Sequence, residues 1–417
     1  MMTSPRRTFS AGEGSSRPGH LAALALFGVV GLAVMLADRH QQSDESSYVQ
    51  LAHHLFSGYY TTKAKPDLWF GPGLPALLWP LTAIGAPLEV LRLLGPLALL
   101  CAIVLFYELL RLYVSPRAAL LGGIALGAYL PLYVLLPSLH SDVVGLFLVV
   151  AFMYAIACYS NEQASRFLVL AALALGYLAL TRVVFGWIVA LSGGLWLLIA
   201  GLRRSSFAIR LFAVHVTALV LCIPWLAYTY SVNHHVFYWS TSGGLSLYWM
   251  ASPVAGDLGD WHNSRQVFSD PNLRPHRAEF AKLQRLDESE ADDEVSRDAR
   301  RLIEHHPRSY VKNVAANVSR LWFNTPYSYT PQKISTLFYI VPNALLLAGL
   351  ILSIALFVTR RGLPVPGLSV FAVLFVVGFV VQALLAGYSR MLVPLVPIIL
   401  WAAVVSVARY VRLAPAR

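Results

Sequence analysis

The chain has 417 residues, of which 57% are hydrophobic and 13% charged, with a net charge of +11 and a mean hydropathy of +0.61. Apolar residues at this level, arranged in bilayer-length runs, exclude most soluble classes and read as one polytopic membrane body. The positive charge does not mark a nucleic-acid partner, because residues 230–335 hold 12 acidic and 12 basic side chains and the whole excess falls in the membrane part and its short loops.

The chain begins with Arg6, Arg7 and Arg17 but no short apolar core with a cleavage site, so the long run that follows reads as a membrane anchor. Apolar runs predict about ten transmembrane helices, at 20–37, 88–112, 117–136, 142–159, 165–181, 183–202, 208–229, 336–358, 367–386 and 391–408. With these spans Arg6/Arg7/Arg17, Arg111/Arg117, Arg166, Arg203/Arg204/Arg210, Arg360/Arg361 and Arg409/Arg412/Arg417 share one side, which the positive-inside rule makes cytoplasmic. Parity requires two crossings in each of 165–202 and 367–408, turning near Arg182 and near 387–390. The run 71–86 is too short to span and carries Pro72, Pro75 and Pro80, so it is expected as a re-entrant or interfacial helix on the outside.

The expected division is an N-terminal transmembrane module 1–229 with a first outer loop 38–86, a small, mostly helical extracytoplasmic region 230–335, and C-terminal transmembrane helices 336–417. Within the second part, 276–306 is charge-dense and helix-forming, which predicts a solvated helical face. Cys101, Cys158 and Cys222 all lie in apolar runs and support neither a disulfide framework nor a zinc cluster. No repeat of 20 to 50 residues is visible.

Charged residues at helix ends in a membrane body are functional candidates by default, since each must be paired or do a task. Asp44 and Glu45 follow the first span, Lys63 and Lys65 lie in the same loop, Asp142 opens the fourth span, and Arg92, Arg182 and Arg390 stand at outer ends. Five cations on the side where few are expected suit an anionic ligand such as a phosphate, held by charge-assisted hydrogen bonds. The competing reading is that Arg92, Arg182 and Arg390 pair with Glu89, Asp142 or Asp44, or reach lipid headgroups. The acidic pair suits a general base, and it also leaves room for a divalent cation as cofactor. His53/His54, His234/His235 and His305/His306 are adjacent in sequence, a poor spacing for a metal site. Tyr238, Trp239, Tyr248, Trp249 and Trp261 suit either sugar stacking or an interfacial aromatic belt.

At these residues the sequence resembles the multi-pass glycosyltransferases of the GT-C fold, in the branch of protein O-mannosyltransferases and the aminoarabinose lipid A transferase. An acidic pair, a Tyr three residues on and Ala-x-x-Leu before a Gly look like Asp44-Glu45, Tyr48 and 51–58. The Pro-rich piece resembles 71–77, although the adjacent Pro-Pro is Gly-Pro-Gly-Leu-Pro here. Arg92 in Leu-Arg-Leu-Leu-Gly, Asp142 before the fourth span, Pro224-Trp225 with the Gly243–Tyr248 stretch, and Tyr388-Ser389-Arg390 before Pro394 and Pro397 complete six matches in order.

The resemblance implies an inverting transfer of sugar from a polyprenyl-phosphate donor to an acceptor hydroxyl on a lipid, glycan or protein, at the extracytoplasmic face of a bacterial inner membrane. It implies Asp44 as general base, with Asp142 and Glu45 supporting the geometry. Lys63, Lys65, Arg182, Arg390 and Arg92 would hold the donor phosphate, and Tyr48 and Tyr248 would contact sugar or acceptor. The rivals are a transporter or flippase of a lipid-linked sugar, in which charges would line a path at the midplane, a lipid-binding scaffold, and an O-antigen-ligase-like enzyme.

Overall fold

The computed structural model describes residues 17–37, 43–55, 57, 59–62, 66–332, 334–359, 365 and 367–410; Lys63 and Lys65 lie outside these, as do Arg6, Arg7, Arg360, Arg361, Arg412 and Arg417. Among the described residues every regular element is a helix. The first half contains α1 (Arg17–Ala37), α2 (Ser43–His54), α3 (Gly73–Ala83), α4 (Leu88–Arg92), α5 (Leu94–Arg111), α6 (Pro116–Gly127), α7 (Pro131–Leu135), α8 (Ser141–Glu162), α9 (Ser165–Thr181), α10 (Val184–Arg203), α11 (Ser206–Leu221) and α12 (Ile223–Asn233). Then come α13 (Ser242–Ala251), α14 (Ser264–Ser269), a 3-10 turn Pro271–His276, α15 (Arg277–Leu283), α16 (Glu288–His305), α17 (Pro307–Phe323), α18 (Leu337–Thr359), α19 (Leu368–Leu384), a 3-10 turn Ser389–Leu395 and α20 (Val396–Tyr410).

Helix stands at each of the ten predicted spans, but not always as one rod. Six segments are long and apolar enough to cross a bilayer: Arg17–Ala37, Leu88–Arg111, Ser141–Glu162, Val184–Arg203, Leu337–Thr359 and Ser389–Arg409. A seventh joins α11 and α12 across a bend of 51°, where Pro224 enters at the first turn. Helices α9 and α19 are apolar but shorter. The expected continuous span 117–136 divides instead into α6 and α7, because Pro131 restarts the helix after a break at 128–130.

Helix α8 is apolar on all sides and is buried accordingly, packing on α5, α9, α20 and the 389–395 turn. Around it Leu26, Leu121, Leu170, Leu198, Ile209, Leu345 and Ile354 turn large apolar side chains outward, the surface a bilayer covers. Ser115 and Ser205 cap α6 and α11, each accepting from the backbone N–H three residues on. The ends of the bundle carry separate charge clusters. Arg17 and Arg111 pair with Glu108 at one end, at 2.8 and 3.2 Å, and Glu45 with Arg92 lies at the other.

Helices α13 to α17 surround a smaller core of Trp249, Met250, Val267, Leu273, Phe280, Val295 and Ala299. The charge-dense helix expected over 276–306 is two helices, α15 and α16, and their outer face carries the Lys282–Glu294, Arg297–Glu294 and Arg301–Asp298 pairs. This region is tied to the bundle by Thr241 N–H donating to Leu68 O at 3.1 Å, and by Asn317 Nδ2 donating to Gln382 O and Ala383 O at 3.1 and 3.0 Å.

Candidate active site

The site is built at the end of the bundle opposite the Arg17–Glu108–Arg111 cluster, where five segments meet. Helix α2 starts with Asp44 and Glu45 in its first turn, where the helix dipole favours carboxylates. Successive helical residues point about 100° apart, so these two carboxylates face different surroundings. Glu45 is fully buried and takes a bidentate pair from Arg92, with Nε and Nη2 at 2.8 and 2.7 Å, and a third bond from Leu139 N–H at 3.0 Å. Asp44 keeps 31% of its side chain exposed. Its Oδ2 accepts from Arg390 Nη1 and Nη2, both at 3.1 Å, and Oδ1 takes no bond among the described residues.

Arg390 reaches this point from the turn that precedes α20, held by its neighbours: Ser389 Oγ donates to Asn324 Oδ1 at 2.8 Å and Tyr388 O–H to Trp261 O at 3.1 Å. Its Nη1 also contacts His140 Nδ1 at 3.2 Å. Burial holds the His140 pKa below the usual imidazole value, which keeps the ring neutral and leaves Nδ1 to accept from the guanidinium.

Asp142 opens α8 and forms a buried ion pair with Arg182, the residue that ends α9. Two close approaches make this possible. Gly145, one turn into α8, has the Arg182 side chain lying against it, and a Cβ there would meet Arg182 Cδ at 3.0 Å. Gly73 at the start of α3 sits on the end of α9, where a Cβ would collide with Thr181 Oγ1, and Tyr177 O–H donates to Gly73 O at 2.7 Å. Arg182 Nε is buried with no hydrogen-bond partner among the described residues. Tyr48 lies between the two carboxylates, donating to Ser141 Oγ at 3.2 Å, with the Phe70 ring 4.6 Å away. Burial raises its phenol to about 12, and nearby Asp44 and Asp142 add to the effect, so it is neutral and a donor at physiological pH.

The structure thus brings together Asp44, Tyr48, Asp142, Arg182 and Arg390. Of the pairings in the competing reading, Arg182 with Asp142 and Arg390 with Asp44 are present, whereas Arg92 is turned inward on Glu45 instead of Glu89. Tyr248 is not in this cluster: it is buried in the smaller core and bonded to His276 Nδ1 at 2.8 Å. Sequence reasoning missed His140 and Ser389, whose only signal was proximity to Asp142 and Arg390, and Asn324, which had none because it lies 65 residues from Ser389.

The described residues of the site do not fit a metal centre. Among the described residues no group of three or more His, Cys, Asp or Glu side chains could hold an ion, and Asp44, Glu45 and Asp142 each engage an arginine. Such cations repel a divalent ion where hard oxygen ligands would have to converge on it.

No curated protein matches the chain in sequence. Residues 65–228 match the family model described as dolichyl-phosphate-mannose-protein mannosyltransferase. Among solved structures, the archaeal oligosaccharyltransferase AglB from Archaeoglobus fulgidus, in complex with an inhibitory peptide and a dolichol-phosphate, has a TM-score of 0.51 and 13% identity over 94% of this chain and 50% of that one. The same enzyme tethered with an acceptor peptide scores 0.52 at 15% identity, over 93% of this chain and 49% of that one. ArnT from Cupriavidus metallidurans bound to undecaprenyl phosphate scores 0.44 at 19% identity, over 94% of this chain and 78% of that one. The chain therefore spans about half the length of the oligosaccharyltransferase it matches. The likeness to the oligosaccharyltransferase, at 13% and 15% identity, establishes architecture: the chain is a multi-pass membrane protein with the GT-C fold.

Proposed function

We propose that the protein is an inverting glycosyltransferase that moves a sugar from a polyprenyl-phosphate donor to an acceptor hydroxyl at the extracytoplasmic face of a bacterial inner membrane. The observation that carries this reading is one partly open cluster in which Asp44, a carboxylate whose Oδ1 takes no bond among the described residues, stands among two guanidinium groups, Arg182 and Arg390. The family whose model matches 65–228 uses a lipid phosphate-linked sugar by its description, and the match covers the Pro-rich helix, α8 and Arg182. In this reading the division of the chain is 1–229 with the first outer loop 38–86, 230–335 outside, and 336–417.

In the proposed step the acceptor oxygen attacks the anomeric carbon while the bond from that carbon to the donor phosphate breaks. The hydroxyl proton passes to Asp44 Oδ1, and the electron pair of the broken bond stays on the phosphate. Arg182 and Arg390 stabilise that developing charge, with Lys63 and Lys65 of the same loop assigned to the phosphate as well. An unpaired buried donor costs about 1–3 kcal/mol, so Arg182 Nε favours a ligand oxygen there. Asp142 orients Arg182, Tyr48 contacts sugar or acceptor, and Glu45 with Arg92 fixes the start of α2. A transporter is disfavoured because these charges gather at one end of the bundle, whereas a path would place them near the midplane.

The test is Asp44→Asn in the full chain, assayed with a panel of polyprenyl-phosphate sugars. Transfer is expected to fall about 10² to 10⁴-fold, with donor binding retained. A folded variant that transfers at a near-normal rate removes Asp44 from the role.

A further inference from the structure

A cavity of about 330 Å³ opens in the extracytoplasmic region, lined by Trp69, Thr241, Leu245, Trp261, Gln284 and Glu288, with Asp292 at its wall. That volume lies at the lower end of the roughly 300–1,000 Å³ typical of small-molecule sites. Trp69 comes from the first outer loop and Trp261 from the segment before α14; both are half-buried, with ring centroids 6.0 Å apart and planes inclined by 60°. Two inclined indoles give an apolar wall with accessible faces, while Asn263, Ser264, Gln284 and Glu288 supply donors and acceptors at the rim. Among the described residues the lining carries two carboxylates and no lysine or arginine, a surface that disfavours a phosphate, unlike the arginine-bearing cluster.

Its position ties it to the reacting groups twice. Trp69 is followed by Phe70, whose ring packs on Tyr48, and Trp261 O accepts from Tyr388, two residues before Arg390. The wall is held firm where the two regions meet, since Thr241 N–H bonds Leu68 O and Thr241 O–H donates to Glu288 at 2.7 Å.

We propose that this cavity binds an uncharged pyranose unit of the acceptor, stacked on Trp69 and Trp261, so that the acceptor is a glycan whose neighbouring hydroxyl reaches Asp44. This rests on the glycosyl-transfer reading for the acceptor's role, but binding itself is measured without donor or chemistry. The probes are maltose, cellobiose, lactose, chitobiose and mannobiose, offered to the full chain in nanodiscs and read by saturation-transfer NMR and tryptophan fluorescence. At least one disaccharide is expected to bind, with Trp261→Ala weakening it about tenfold, the worth of a strong aromatic contact, and Ala291→Trp, which fills the cavity, abolishing it. Trp69→Ala, which removes volume, serves alongside Trp261→Ala if the filled variant does not fold. Asp44→Asn is expected to keep saccharide binding, which separates failure of this site from failure of the proposed chemistry. No disaccharide bound at millimolar concentration, binding unchanged in both alanine variants, or capture only of an uncharged serine- and threonine-containing peptide would each overturn the assignment.

Discussion

Asp44 and Glu45 are chemically alike and adjacent, yet their surroundings assign them different work. Glu45 is wholly enclosed and bonded by Arg92 and the Leu139 N–H, so removing its charge breaks a buried bidentate ion pair. Glu45→Gln is expected to destabilise the chain by about 3–5 kcal/mol, seen as a large drop in thermal midpoint in detergent. Asp44→Asn, at a partly exposed pair, is expected to shift the midpoint little. Equal losses in the two variants would contradict this division. From sequence both residues were visible as an outer acidic pair; which one faces the opening depends on where Arg92 and Arg390 come to rest, 47 and 346 residues away from their partners.

Among the elements, α16 carries the clearest pH signature. Its Asp292 is buried against α13, accepting from Tyr238 O–H at 2.6 Å and Gly244 N–H at 2.8 Å, and burial outweighs those bonds to raise its pKa to about 6. The unfolded carboxyl titrates near about 3.9, so between that value and about 6 the folded state holds a proton the unfolded state has lost. Stability of the α13–α16 contact is therefore greatest at the acid end and falls as pH rises through this window. Asp292→Asn is expected to flatten that slope and to slow hydrogen exchange across α13 and α16 at pH 7; an unchanged slope would show that another group dominates. The charge pattern of 276–306 announced a helix with a wet face, and the ion pairs of Lys282, Arg297 and Arg301 lie there. It did not announce the buried Asp292, because the partner Gly244 lies 48 residues earlier.

For the whole molecule, the arrangement of charge at the two ends of the bundle leads to a topological expectation. Ser57 and Arg301 are exposed near the acidic first loop and on the outer helices, and Arg204 is exposed at the turn between α10 and α11. With Cys101, Cys158 and Cys222 replaced by serine, Ser57→Cys and Arg301→Cys are expected to react with an impermeant maleimide in intact spheroplasts, and Arg204→Cys only after lysis. The reverse pattern would invert the orientation and remove the donor face proposed for Asp44.

Composition and run length by themselves determined that this is a membrane protein of many helices, because burying backbone in hydrocarbon leaves little alternative to long apolar helices. Charge at the ends of the runs also marked Asp44, Asp142, Arg182 and Arg390 as out of place, since an unpaired charge near the bilayer is costly wherever the chain goes. What only tertiary structure decided is which charge meets which: Arg182 to Asp142, Arg390 to Asp44 and Arg92 to Glu45. Charge at the outer ends made such pairings one open alternative, but like the meeting of Trp69 with Trp261 they are set by helix packing between distant segments, which local pattern does not decide.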